Sequence, residues 1–274
     1  MVAADATGLR RGLSILLALE REGALGAVPS GVTRLAALIG ADKSQVSRSL
    51  KVLAEHGFVD RDPETLGYRL GSKLLAMAGQ ANRANLLAAA EPLLKRLVRE
   101  TGERAHLSVL RGATVLTVLS EGSDRAVEAA GWVGRTVPLH CTSSGRALLL
   151  DQTKQEIAAL VDRVPFADHA GTGKAPVDVA QLYERIAAAR DQGFVLVDEE
   201  FDVGLVAVAA PVRDFGGRIV AALNVSAPKF RFGKELLRAG HQVKAAADEL
   251  STALGWDAER SHDQHHATAG GGLA

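Results

Sequence analysis

The chain has 274 residues, 47% of them hydrophobic and 23% charged, with 32 Lys+Arg balanced by 32 Asp+Glu. This composition belongs to a folded globular chain long enough for two domains, and it excludes a mainly disordered one. Zero formal charge argues against strong, indiscriminate attraction to polyanions, and the single cysteine, Cys141, excludes intrachain disulfides and an all-cysteine metal site. Apolar runs such as 203–212 fall short of the roughly 18 residues a membrane span needs. The opening Met-Val-Ala-Ala-Asp lacks a basic-then-apolar signal pattern, so the expected location is the cytoplasm.

Residues 9–22 predict an amphipathic helix with Thr7 as N-cap and Leu9, Leu13, Leu16 and Leu17 at helical spacing. The glycine-rich stretch 23–31 predicts a loop. A short helix follows, with Thr33 near its start, closed by Gly40 as a left-handed cap. The next helix has Asp42 as N-cap, Gln45 as its capping-box partner, and Val46, Leu50 and Leu53 as a buried stripe. Residues 58–61 and 68–70 flank a turn containing Pro63 and Gly67, which predicts a β-hairpin. Three helices, the last two joined by a glycine turn, followed by such a hairpin make a winged helix-turn-helix.

An alanine-rich helix over 72–84 suits a linker, and a second helix runs from Asn85 to about Glu100 with Pro92 near its first turn. From Ala105 the pattern turns to β. Strands at 106–110 and 114–119 surround Arg111-Gly112-Ala113, and a third is expected at 125–130. Helices are expected at 144–150, 155–161 and 179–191, then strands at 205–213 and 219–226 and a closing helix over 233–254. Strands on both sides of a helical block predict an α+β domain around one antiparallel sheet. The predicted organisation is 1–71 as the winged helix-turn-helix, 72–258 as the linker helix and effector-binding domain, and 259–274 as a disordered tail.

With Val46, Leu50 and Leu53 buried, the third helix exposes Ser44, Arg48, Lys51 and Glu55, with Gln45 and Ser47 at its edges. Such side chains read base edges or hold phosphates, and they cluster where a recognition helix meets the major groove. Residues 1–71 carry nine basic and eight acidic side chains, a net of only +1, yet Lys43, Arg48 and Lys51 share one helix. The predicted DNA-binding set is Arg34, Lys43, Ser44, Gln45, Ser47, Arg48 and Lys51, with Arg61 and Arg69 on the wing. A small basic face on a neutral body depends on dimerisation and base contacts for affinity.

In the second domain, Thr142, Ser143 and Ser144 lie at a loop-to-helix junction able to receive a carboxylate. Asn224 and Ser226 alternate on the last strand and so face one side. An enzyme reading would recruit Ser143 or Ser144 with His106, His140 or His169, but no Gly-x-Ser-x-Gly elbow is present and no catalytic residue is expected. Two alternatives are a redox-responsive regulator acting through Cys141 and, well behind it, a small-molecule hydrolase. His262, His265 and His266 have no carboxylate frame, so neither a metal site nor a cofactor is expected.

The segments Thr33-Arg-Leu-Ala-Ala-Leu-Ile-Gly, Lys43-Ser-Gln-Val-Ser-Arg-Ser-Leu and Tyr68-Arg-Leu-Gly resemble the IclR family of bacterial transcription regulators. So do Pro138-Leu-His-Cys-Thr-Ser-Ser-Gly-Arg-Ala-Leu-Leu, Asp198-Glu-Glu, Val208-Ala-Ala-Pro-Val and Ala222-Leu-Asn-Val-Ser-Ala-Pro, in the family's order over roughly residues 8–255. The resemblance implies a winged helix-turn-helix, a linker helix that dimerises and a GAF-like α+β effector-binding domain. It implies a dimer or tetramer on double-stranded operator DNA, more often a repressor than an activator. It also places effector contacts at Thr142 to Gly145, Ala207, Asn224 and Ser226. Ala207 stands where the family usually has Cys, Asn224 where Ser is frequent, and Val197 where Asp is common, leaving Asp198 beside it. The loss of polar groups points to an effector with a carboxylate and an apolar body. Ala41-Asp42 replaces the family's apolar residue and Pro. If Gln45 is engaged in capping, Ser44, Ser47 and Arg48 rank above it for base contacts. Effector binding is expected to shift the paired DNA-binding domains through the linker helix.

Overall fold

The protein is described by a computed structural model covering residues 2–24, 29–122, 132–161 and 171–257. Its contacts divide the chain into the units Met1–Ala84 and Asn85–Ala274.

The first unit contains helices α1 (Val2–Ala24), α2 (Val32–Ile39) and α3 (Lys43–Glu55) and the hairpin strands β1 (Val59–Arg61) and β2 (Tyr68–Leu70). Ile15 of α1, Leu35 of α2, and Val46 and Leu50 of α3 are fully buried together, with Val59 of the wing beside them. Each such side chain contributes about 1.5–3 kcal/mol by leaving water. Gly40 closes α2 at φ 64°, a left-handed conformation that costs a side chain bearing a Cβ but not glycine. The wing is paired in antiparallel register, Val59 opposite Leu70, Asp60 opposite Arg69 and Arg61 opposite Tyr68.

The first helix differs from the sequence expectation in two ways. It begins well before Thr7, which lies inside it rather than capping it. Its core-facing residues are Ile15, Ala18 and Leu19, whereas Leu9, Leu13 and Leu17 are 68%, 54% and 55% exposed. The helix carries two apolar stripes, and the three-helix core is large enough to cover one of them.

The expected pair of linker helices is a single helix, α4 (Ser72–Thr101), with Pro92 inside it. Proline removes one backbone donor. Here the helix continues because Ala90, Leu93, Leu94 and Leu97, around the proline, are anchored in the core of the second unit.

The second unit is built on β3 (Arg104–Arg111), β4 (Thr114–Glu121), β5 (Thr136–Pro138), β6 (Val195–Asp198), β7 (Leu205–Arg213) and β8 (Ile219–Pro228). They form an antiparallel sheet in the order β5-β4-β3-β8-β7-β6. Helices α5 (Ser143–Leu148), α6 (Lys154–Val161) and α7 (Val179–Ala189) lie between β5 and β6 in the chain. The closing helix is interrupted: α8 (Lys229–Phe232), a 3-10 turn (Gly233–Glu235), then α9 (Leu236–Ala253).

Both faces of the sheet are covered. Leu107, Val208, Leu223 and Val225 pack with Leu94 and Leu97 of α4 and Val243 and Leu250 of α9. On the other face Val115, Val197, Ala209 and Ala222 meet the layer that contains Leu149, Ile157, Leu182 and Ile186. The strand expected at 125–130 and the tail 259–274 lie outside the described residues, as do His169, His262, His265 and His266. Strands β5 and β6, three and four residues long, are too short for alternation to reveal them in the sequence. No helix among the described residues is long and apolar enough to cross a membrane.

Candidate functional site

Helix α3 presents Lys43, Ser44, Gln45, Ser47, Arg48 and Lys51 to solvent. The N-cap carboxylate of Asp42 fixes its first turn. Its Oδ1 accepts from the Ser44 amide at 2.8 Å, the Ser44 hydroxyl at 2.5 Å and the Gln45 amide at 3.3 Å. These bonds, that of the Ser44 hydroxyl foremost, hold the Asp42 carboxyl below the usual carboxylate range. The cap therefore engages the Ser44 side chain rather than that of Gln45. Ser44 is committed to the cap, while the Gln45 side chain makes no hydrogen bond among the described residues. Arg48 keeps to the helix, its Nε 3.4 Å from the Ser44 carbonyl.

The remaining basic residues differ in availability. Arg34 is tied to Glu22 of α1 in a two-pronged ion pair, one arm 3.0 Å long, so its fork is already filled. Arg61 on the wing stacks 5.7 Å from the centroid of the Tyr68 ring. Arg69 is exposed opposite Asp60.

In the second unit a cavity opens on the α5 side of the sheet. Of the residues expected at an effector site, Thr142, Ser143, Ser144, Ala207, Asn224 and Ser226 line it. Gly145 and Asp198 do not. A Cβ on Gly145 would lie 2.2 Å from the Leu139 carbonyl oxygen, so this glycine permits close packing of α5 instead. Asp198 is exposed, its carboxylate 2.7 Å from Lys229 Nζ, because strand alternation turns Val197 inward and Asp198 outward. Thr142 caps α5, accepting from the Gly145 amide at 3.2 Å and donating to the Pro138 carbonyl at 2.6 Å.

The cavity also holds side chains that the sequence reading passed over as site residues. His106, Ser108 and Thr117 add polar groups, and Trp132, Val137, Phe201 and Leu205 add apolar surface. His106 stands opposite Asn224 in the β3–β8 register. Its Nε2 is 3.5 Å from the Ser226 hydroxyl and its ring centroid 5.4 Å from that of Trp132. Its Nδ1 is buried without a hydrogen-bond partner among the described residues. Burial, reinforced by the charge of Arg104, pushes the imidazole pKa down to about 4, so the ring is neutral near pH 7.

Two family models match the chain: the IclR helix-turn-helix domain over residues 8–63, and the bacterial transcriptional regulator IclR C-terminal domain over residues 78–252. The chain belongs to the IclR family. It is 32% identical over 232 residues to the transcriptional regulator XynR of Escherichia coli K12, covering 83% of this chain and 90% of that protein. It is 29% identical over 252 residues to the transcriptional repressor AllR of Salmonella paratyphi A, covering 91% and 90%. Among solved structures, Thermotoga maritima IclR superposes with a TM-score of 0.58 at 22% identity, over 92% of this chain and all of the other, a likeness of fold.

This IclR-family chain is thus a DNA-binding transcriptional regulator with an effector-type C-terminal domain, not an enzyme. His106 meets Ser226 rather than Ser143 or Ser144, and among the described residues no carboxylate orients its Nδ1. The Asp198-Glu199-Glu200 run supports the cavity rather than lining it. Glu199 accepts from Lys174 at 2.5 Å and Lys229 at 2.9 Å, and these bonds draw its carboxyl down to about 2. Glu200 neutralises the buried Arg146 at the end of the Ser-Ser-Gly-Arg motif. Cys141 is fully buried, and burial pushes its thiol up to about 11, the reverse of what a peroxide-sensing thiolate needs.

Proposed function

We propose that this chain is a cytoplasmic repressor that binds operator DNA as a homodimer or tetramer and changes its affinity on binding a small organic acid. The observation that carries the reading is the exposed face of α3, where Gln45, Ser47, Arg48 and Lys51 stand clear of the domain they are anchored in. Arg and Gln there suit guanine and adenine edges, while Lys43, Arg61 and Arg69 suit phosphates. Ser44 belongs to the cap, and Arg34 to Glu22, in this account. The name of AllR supports the sign of regulation.

Association between copies is supported by the uncovered stripe of Leu9, Leu13 and Leu17 on α1, with Leu75 and Met77 exposed on α4. Apolar stripes of this extent mark interaction surfaces rather than ordinary solvated faces. The effector reading rests on Ser143 and Ser144 of α5 and Asn224 and Ser226 of β8 lining the same pocket as Trp132 and Phe201, which offers both hydrogen-bonding groups and apolar surface. Helix α4 belongs to both units and provides the covalent route for coupling. In vitro transcription from a promoter overlapping a duplex selected by the protein tests the proposal. Added protein lowers the transcript and the acid restores it; an unchanged transcript overturns the repressor reading.

A further inference from the structure

The effector cavity contains no formal positive charge among its described lining residues. His106 is neutral, and the other polar groups are hydroxyls and the Asn224 amide. An acid buried wholly within it would leave a carboxylate without a counter-charge, which is strongly unfavourable. A cation must therefore stand at its edge.

Four arginines stand near the site, of which Arg135, stacked 5.6 Å from the centroid of the Trp132 ring, does not itself line it. Arg146 is neutralised by Glu200, and Arg231 by the buried Glu103, one arm of that pair 2.8 Å long. Arg104 makes no ion pair among the described residues. It lies two residues before His106 on β3, opposite Ser226 in register, so Arg104, His106 and Ser108 point to the same face of the sheet. Arg104 lines a second, wider depression that shares Trp132, Leu205 and Ser226 with the first cavity. The two depressions thus share a wall, and Arg104 lines the wider one. The competing anion position, the start of α5, offers less. That helix has only six residues, and its Gly145 amide already donates to Thr142.

We propose that Arg104 is the residue that recognises the effector's anionic group, held where the two depressions meet, with the uncharged body in the cavity lined by His106 and Trp132. This rests on the organic-acid reading above and adds the position and the partner of the acid. A carboxylate there receives the guanidinium fork in a charge-assisted, two-pronged contact.

Calorimetry on the full chain with benzoate, phenylacetate and hexanoate, each paired with its primary amide, tests it. Wild type binds at least one acid more tightly than its amide by about tenfold or more. Arg104→Gln and Arg104→Met abolish that preference with unchanged thermal midpoints, and Arg104→Lys retains part of it. The guanidinium of Arg104 lies against Gly122, so the methionine variant, which removes that group but keeps an apolar side chain, is read together with its thermal midpoint to separate folding from charge. A wild-type protein indifferent to charge overturns the acid reading and this assignment with it. Acid preference that persists in both neutral variants overturns the Arg104 assignment alone.

Discussion

The guanidinium of Arg146, on α5, and the carboxylate of Glu200, just past β6, form a buried two-pronged ion pair beneath the effector cavity, with Nη1 3.1 Å from Oε1. Arg146 is 2% exposed and also donates through Nε to the His140 carbonyl at 2.8 Å. Arg185 of α7 meets the same carboxylate. The contact locks the Ser143-Ser144 segment to the strand that carries Val197, which is why two sequence-distant motifs share one wall.

Removing one partner strands a charge. Glu200→Ala is expected to destabilise the chain by about 3–5 kcal/mol in urea denaturation, and a double Arg146→Met, Glu200→Met variant to recover most of it. A single variant as stable as wild type would show that water reaches the pair.

The α3 cap separates stability from recognition. Asp42→Ala costs about 1 kcal/mol of stability, because it frees the Ser44 and Gln45 amides. Gln45→Ala leaves the melting temperature unchanged but weakens binding to a selected duplex by about tenfold, the size of a lost base contact. Equal DNA affinity in Gln45→Ala and wild type would return Gln45 to the solvated face.

The imidazole of His106 gives a pH signature. Its folded pKa, about 4, lies below the ordinary 6.5, so the unfolded chain takes up the proton first as pH falls. Its contribution is complete above pH 6.5 and is lost between 6.5 and 4, about 3 kcal/mol in all. Between pH 7 and pH 4.5 wild type should lose about 2 kcal/mol more than His106→Gln. Parallel losses in the two proteins would contradict the buried neutral ring.

Cys141 separates the organic-acid reading from a thiol switch. With the thiol fully buried and raised to about 11, an aromatic disulfide reagent labels it slowly in the native chain and rapidly in urea. Rapid native labelling, together with peroxide-sensitive DNA binding that Cys141→Ser removes, would restore the switch.

The legibility of these features in the sequence varied with the length of pattern each element offers. Helix α3 and the wing were readable because cap, apolar stripe and turn residues agree within a short span, so burial of Val46 and Leu50 left one possible outer face. Helix α1 was readable as a helix but not in its orientation, since two apolar stripes compete and packing against α2 and α3 decides between them. In β3, polar residues at 104, 106 and 108 alternate within a strand buried on both faces. That spacing marks a polar cavity on one side of a sheet, and it could have named His106 in advance. Asp198 and Gly145 were assigned by motif alone. Strand alternation and backbone contact, which no motif encodes, carry them away from the cavity.

The most direct test of the account is fluorescence anisotropy of the full chain on a duplex it selects from a random pool, comparing wild type with Arg48→Ala. Arg48 is exposed on α3 and is not one of its buried residues, Val46 and Leu50, so the variant should keep its fold. The account predicts that wild type prefers the selected duplex over a scrambled one and that Arg48→Ala loses this preference by tenfold or more, about 1.4 kcal/mol. An Arg48→Ala protein that retains both affinity and preference would contradict the assignment of α3 as the recognition helix.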